Sequence, residues 1–205
     1  MTNPSQQADS ASGDGRVQRG ARSREAIVSA LYELIGSGMP QPTAERVAEL
    51  AGVRVRTVFR HFVDMESLHV ELTTRLQQRV QPLFEAMPVA GTLDERARGF
   101  AHAAAQIYER IAPYKRSNDA QRWRYPYMQA SHDAMVAQHR AHLTRVFPEL
   151  SAAETMGSSL SALELVTSFE AWDRLRVQQK LGVERARTAM EFAIRSLAAL
   201  PDDDS

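Results

Sequence analysis

Apolar residues recur at spacings of three and four along most of the chain, and no stretch alternates with the period of two that a half-buried strand requires. The pattern predicts an all-α protein. It is densest over residues 43–62, TAERVAELAGVRVRTVFRHF. Thr43 is placed to cap a helix whose inward stripe is Val47, Ala48 and Ala51, with Ala48 small enough to let another helix cross closely. Gly52 ends that helix, because glycine tolerates the positive φ of a helix C-terminal turn, and Val53 can plug the angle that follows. In the next helix Val58 and Phe62, four apart, point inward. Arg54, Arg56, Thr57, Phe59, Arg60 and His61 are left on the other faces. Such a face suits a polyanion, and two short helices meeting at a sharp turn are the geometry of a DNA reader. A generic helical hairpin with a solvated basic face would share the pattern.

The stretch AERVAELAGVRVRTVFRHFVDMESL resembles the helix-turn-helix of the TetR family of bacterial transcription regulators. The likeness rests on Val47, Ala48, Ala51, Gly52, Val53, Thr57, Phe59, His61, Phe62, Glu66 and Leu68. Before it, SREAIVSALYELIGSG is similar to the family's first helix, with Ile27, Ala30, Leu31, Leu34 and Ile35 on one face and Gly36 and Gly38 stopping it. The resemblance covers residues 22–70. Three departures bear on DNA contacts. Arg54 stands where the family usually has a Ser or Thr cap, which removes a capping bond worth about 1 kcal/mol but offers a guanidinium to phosphate. Phe59 replaces the commoner Tyr and its hydroxyl. Met65 replaces a frequent Lys, and a thioether cannot donate.

The resemblance implies an N-terminal three-helix DNA-binding domain followed by a helical ligand-binding and dimerisation domain, about nine helices in all. The expected divisions are a tail over 1–21, the DNA-binding domain over 22–68 and the effector and dimerisation domain over 69–205. By the same resemblance, Val55, Arg56, Phe59 and Arg60 meet base edges in the major groove, arginine bidentate to guanine and apolar groups against thymine methyls. Thr43, Arg54, Thr57 and His61 bind phosphates, and Arg24 adds a basic contact from the first helix. The partner is then a double-stranded operator, pseudo-palindromic if the protein is a dimer.

Residues 1–21 are rich in Ser, Gly, Gln and Asp and cannot repay ordering entropy by burial, which predicts a flexible tail. Its basic end, Arg16, Arg19, Arg22 and Arg24, either reaches DNA as an arm or is simply solvated. Beyond the motif, Leu68, Leu72, Leu76 and Val80 continue one helical face until Pro82 or Pro88 bends or ends it. Thr92 and Glu95 form a capping-box pair opening a helix to about Ile111, stopped at Pro113. Residues 112–119 read as a loop, and the next helix, about 120–146, contains Pro126 as an internal kink. Ser151 and Glu154 form a second capping box, launching a helix to about Lys180 that Gly182 closes. The last helix, about 184–199, aligns Ala189, Phe192, Ala193, Ser196, Leu197 and Leu200.

These last two helices carry more apolar surface than a monomer core needs. In families resembling this one the final pair forms a four-helix bundle with its copy, so a homodimer through about 151–200 is expected; otherwise Phe169, Trp172 and Leu175 are monomer core. A dimer also holds two reading helices about one duplex turn apart. The family likeness further implies an effector site for a small apolar or aromatic molecule. Candidate lining residues are His102, Tyr108, Trp123, Tyr127, Met128, Met156 and Phe169, although aromatics at helical spacing also read as packed core. His102, His132, His139 and His142 suggest a metal site, against which His139 and His142, three apart, also read as a surface pair; no Asp, Glu or Cys completes a ligand set at obvious spacing. No nucleophile, paired-carboxylate or glycine-rich phosphate signature points to an enzyme or a cofactor.

Composition refines this picture. The 205 residues, 43% apolar, carry zero formal net charge, which looks unpromising for a DNA binder. Residues 16–80, however, hold ten Arg against seven Asp or Glu, 10 − 7 = +3, so basic charge concentrates where the motif lies. Lysine occurs only at Lys115 and Lys180, leaving 23 of the 25 basic residues as Arg; phosphate and guanine recognition and a GC-rich genome account for this bias equally. The absence of Cys excludes disulfides and thiolate metal sites. Nothing resembles a signal peptide or a membrane span, which makes the cytoplasm the expected compartment.

Overall fold

The computed structural model describes the backbone of residues 5–151 and 157–198, and the side chains of 17–150 and 159–198. Among the described residues there are nine α-helices and no strand. They are α1 (Ser5–Gly36), α2 (Ala44–Leu50), α3 (Val55–His61), α4 (Met65–Glu85), α5 (Leu93–Asp119), α6 (Pro126–Val146), α7 (Gly157–Thr167), α8 (Phe169–Asp173) and α9 (Val183–Ala198). A 3-10 turn, Pro148–Ser151, follows α6, and a π turn, Arg174–Gln178, follows α8.

The chain divides into two compact units, Met1–Leu76 and Gln77–Ser205, so the division falls inside α4 and not at residues 68–69. The reason is that the first half of α4 belongs to the first unit's core. Leu68 and Leu72 are buried, as are Ile27, Leu31 and Ile35 of α1, Val47 and Ala48 of α2 and Val58 of α3. The bond between Arg24 of α1 and Glu71 of α4 (2.7 Å) ties the same two helices at the surface.

In the second unit, α9 packs on α5 and α7. Its core includes Phe100, Ile107, Leu143, Phe147, Leu163, Trp172, Met190 and Ile194. Gly99 lets α5 approach the preceding loop: a Cβ there would lie 2.3 Å from Cγ of Pro88. The predicted capping box is present, Thr92 Oγ1 accepting from Glu95 N (3.3 Å) and the Glu95 carboxylate accepting from Thr92 N (2.8 Å).

Several sequence expectations are corrected. The tail expected over 1–21 is helical from Ser5 onward and continuous with α1. Among the α1 side chains described, which begin at Val17, the first buried one is Ile27. The loop expected at 112–119 is the last part of α5, which runs through Pro113. Proline costs about 3 kcal/mol inside a helix, but Ala112, Tyr114, Lys115 and Ser117 around it are all buried, and their packing outweighs the penalty. Pro126 does not kink a helix; it opens α6 at the first turn, where a missing N–H costs nothing.

The single helix expected to reach Lys180 is broken at Ser168, whose Oγ accepts from Ala171 N (3.1 Å) and caps α8. It ends in the π turn, before Lys180, which adopts a positive φ of 55°. The capping box expected at Ser151–Glu154 and Leu200 of the last helix's stripe lie outside the described side chains. In α9 the buried residues are Ala186, Met190 and Ile194, at intervals of four. Phe192, from the predicted stripe, is 71% exposed.

Candidate nucleic-acid interface

The first unit builds its exposed face from short-range rules. Thr43 caps α2, Oγ1 accepting from Arg46 N at 3.4 Å, and a backbone N–H, then the Thr43 hydroxyl, hold the Glu45 carboxyl below the usual range. The chain leaves α2 through Gly52 at φ 65°, with Val53 N donating to Ala48 O (3.0 Å). Arg54 then occupies the N-cap of α3 with extended backbone and no side-chain cap bond, as the substitution of a cap residue predicts.

Val58 and Phe62 are buried at 1% and 3% exposure and anchor one face of α3, each side chain contributing about 1.5–3 kcal/mol. The opposite side carries Arg54, Arg56 and Arg60, all exposed, together with Phe59, which keeps 47% of its surface in water. Val55 and Thr57 are half-buried beside them. Three guanidiniums around a half-exposed aromatic ring make a surface able to bond phosphate or guanine and to contact a methyl group.

Arg24 lies in the scaffold that supports this face. Its Nη1 donates to the carbonyl of His61, the last residue of α3 (3.1 Å), its Nη2 pairs with Glu71 (2.7 Å), and its guanidinium stacks over Phe62 at 4.3 Å. Arg75 continues the network to Glu71 (2.9 Å) and Glu25 (2.6 Å). Burial alone would raise Glu71, but bonds from Arg75 and Arg24 hold its carboxyl below the usual range. His61 is half-buried, with Nε2 enclosed and without a partner; burial, then Arg60 and Arg24, push its pKa down. It is therefore a neutral group near pH 7.

The candidate effector residues do not form one cluster. Tyr108 and Phe169 meet edge to face at 5.8 Å, and Trp172, 6.2 Å from Tyr108, completes the group; Met128 is buried. Phe169 and Trp172 are thus core within one chain, at 4% and 1% exposure. Trp123 is 82% exposed, its Nε1 donating to Ala120 O (3.1 Å), and His102 is on the surface against Gln106 (2.6 Å). Tyr127 is half-buried, 6.3 Å from Tyr125, and Met156 lies outside the described residues.

His139 and His142 are not a surface pair. His139 bonds Thr167 Oγ1 (2.9 Å) and burial lowers its pKa to about 4, whereas His142 stacks on Phe84 at 4.5 Å. No group of three metal-ligating side chains occurs among the described residues. The sequence does not flag Lys115 and Thr167 as interior polar groups, because Glu170 and His139, which bond them there, lie far along the chain.

No family model matches this chain, and no curated protein does. Solved structures do. A transcriptional regulator from Rhodococcus superposes with a TM-score of 0.68 at 15% identity, over 89% of this chain and 99% of that one. A protein described as a TetR-family transcriptional regulator, also from Rhodococcus, gives 0.66 at 15% identity, over 86% and 99%. The multidrug-binding protein EbrR, complexed with imidazole, gives 0.60 at 15% identity, over 90% and 92%. A three-helix head with an arginine-bearing third helix, followed by a wholly helical second unit, is the fold of the TetR-family transcriptional regulators.

Proposed function

We propose that this protein is a sequence-specific DNA-binding transcription regulator, a homodimeric repressor released from its operator by a small-molecule effector. The observation that carries the reading is α3: buried Val58 and Phe62 fix one face, and Arg54, Arg56, Phe59 and Arg60 stand on the other. In this reading Arg56 and Arg60 bond base edges with Val55 and Phe59 beside them, while Thr43, Arg54, Thr57 and His61 set register on phosphates. Arg24 acts indirectly, by holding the end of α3.

Dimerisation through the C-terminal helices is supported by large apolar side chains left uncovered there, Phe192 at 71% and Leu165 at 70% exposure. The effector is a small apolar or aromatic molecule held in the second unit, where Tyr108, Met128 and Phe169 supply apolar lining. It would act through α4, which contributes residues to both units, and must bind the DNA-incompetent state more tightly than the competent one. No described helix is long and apolar enough to cross a membrane, which accords with action on cytoplasmic DNA.

The deciding experiment is binding to duplex DNA against salt. A DNA reader loses log affinity linearly in log salt at about −0.9 per phosphate contact, and a flat response removes the reading in favour of a helical protein-interaction module. With a selected operator, Arg56→Ala should cost about 1–3 kcal/mol and relax preference at one base position per half-site. Uniform weakening over all sequences would reassign Arg56 to phosphate.

A further inference from the structure

The second unit holds a polar cluster that the regulatory reading does not use. Lys115, on α5, is one of only three polar residues buried among the described ones. Its ammonium donates to both carboxylate oxygens of Asp119 one turn later (2.6 and 2.5 Å) and to Glu170 of α8 (3.2 Å). It also lies 3.1 Å from Nδ1 of His132 on α6 and 5.4 Å from the ring of Phe169. An ammonium has three donors and no acceptor. The short contact to His132 is therefore a bond only while Nδ1 presents a lone pair, which requires the neutral ring with its proton on Nε2.

Every donor of Lys115 is then used, and three helices, α5, α6 and α8, meet on one nitrogen. Protonation of His132 would turn the acceptor into a donor and place two cations 3.1 Å apart. The groups facing His132 are Lys115 and Asp119 of α5, Arg122 of the following turn and Glu170 of α8. Asp119 Oδ1 stands 3.8 Å from Nδ1, beyond hydrogen-bond length, so the protonated ring can reach it only by leaving Lys115.

We propose that Lys115 and His132 form a proton-operated latch, which fastens the start of α6 to α5 and α8 while His132 is neutral and releases α6 when His132 takes up a proton. Charge and burial agree with this geometry. Burial first, then Lys115 and Arg122, lower the His132 pKa, and Asp119 and Glu170 oppose them only in part. The latched form is therefore the one present at neutral pH, and mild acid opens it. Its location gives the release a structural consequence: the same stretch of α5 reaches α6 through Asn118 Nδ2 donating to Met128 O (3.3 Å) and α8 through Arg116 and Asp173 (2.5 Å).

The test uses the full-length protein. Ring nitrogen shifts of the histidines, followed by NMR from pH 8 to 5, should show His132 as the Nε2–H tautomer at neutral pH with a midpoint below 6.5. Amide exchange across residues 127–135, corrected for the intrinsic pH effect, should lose protection by tenfold or more over the same midpoint. His132→Asn keeps an acceptor oxygen near the Nδ1 position and removes the titration, so its α6 protection should not change with pH. A midpoint at or above 6.5, an Nδ1–H tautomer, or equal acid loss of protection in His132→Asn would each overturn the latch. Should the variant fail to fold, the wild-type tautomer and midpoint decide alone. None of these readouts involves DNA, so the outcome is independent of the regulator reading.

Discussion

Replacing Arg24 by Ala separates a scaffold from a DNA contact, because the two roles predict opposite patterns in two assays. The side chain makes three interactions: a bond to the His61 carbonyl at 3.1 Å, an ion pair with Glu71 at 2.7 Å and a stack over Phe62 at 4.3 Å. A charged donor to a part-buried carbonyl is worth about 1.5 kcal/mol. The ion pair is partly exposed, at 40% and 27% of the two side chains, and contributes about 0.5 kcal/mol. The cation–π contact adds about 0.5 kcal/mol. Together these give about 2–3 kcal/mol, which for a chain of this length lowers the melting temperature by about 5–10 °C. Arg24→Lys, keeping the charge but not the fork, should recover less than half. Thermal unfolding by circular dichroism measures this, and the salt slope of DNA binding by Arg24→Ala should stay at the wild-type value. If stability is unchanged and the slope falls by about 0.9, Arg24 holds a phosphate and the scaffold argument is refuted.

Gly52→Ala places a Cβ in the left-handed region at φ 65°, with open space around it, so it should cost about 1–2 kcal/mol in urea unfolding from backbone strain alone. Tyr108→Phe removes the donor to Thr167 O (2.7 Å) at the break between α7 and α8, and should lose about 1–3 kcal/mol; an unchanged unfolding midpoint would mean that water replaces the hydroxyl. His69 and His139 are both lowered to about 4 by burial. The unfolded chain binds protons that the folded chain refuses, so their stabilisation is complete above pH 6.5 and is lost as pH falls from 6.5 towards 4, at roughly 3 kcal/mol each. Urea titrations at pH 7.5 and 5 should show about 2 kcal/mol of this loss for each histidine, and His69→Asn with His139→Asn should flatten it.

What could be read from the residues alone was whatever a few neighbours decide. Val58 and Phe62 point inward because they are one turn apart. Gly52 turns the chain because it has no Cβ, Thr43 caps α2 because its oxygen is three residues from a free N–H, and Thr92 and Glu95 close the same kind of local ring. The exposed face of α3 follows from these, since Val58 within the seven-residue helix and Phe62 at its C-cap are both held in the core. Tertiary structure decided wherever the partner is remote. α5 survives Pro113 because the side chains around the proline are buried by other helices, and α9 turns Met190 and Ile194 inward, leaving Phe192 in water, because α5 and α7 cover that side. Arg24 reads in sequence as one more cation for DNA, and only the fold shows that Glu71, 47 residues on, pairs with it. Lys115 falls in a stretch that reads as a loop, and only the fold brings Glu170, 55 residues away, and His132 around it. Spacing in sequence sets which groups share a face; only the folded chain sets what that face meets, and for a charged group the partner determines its role.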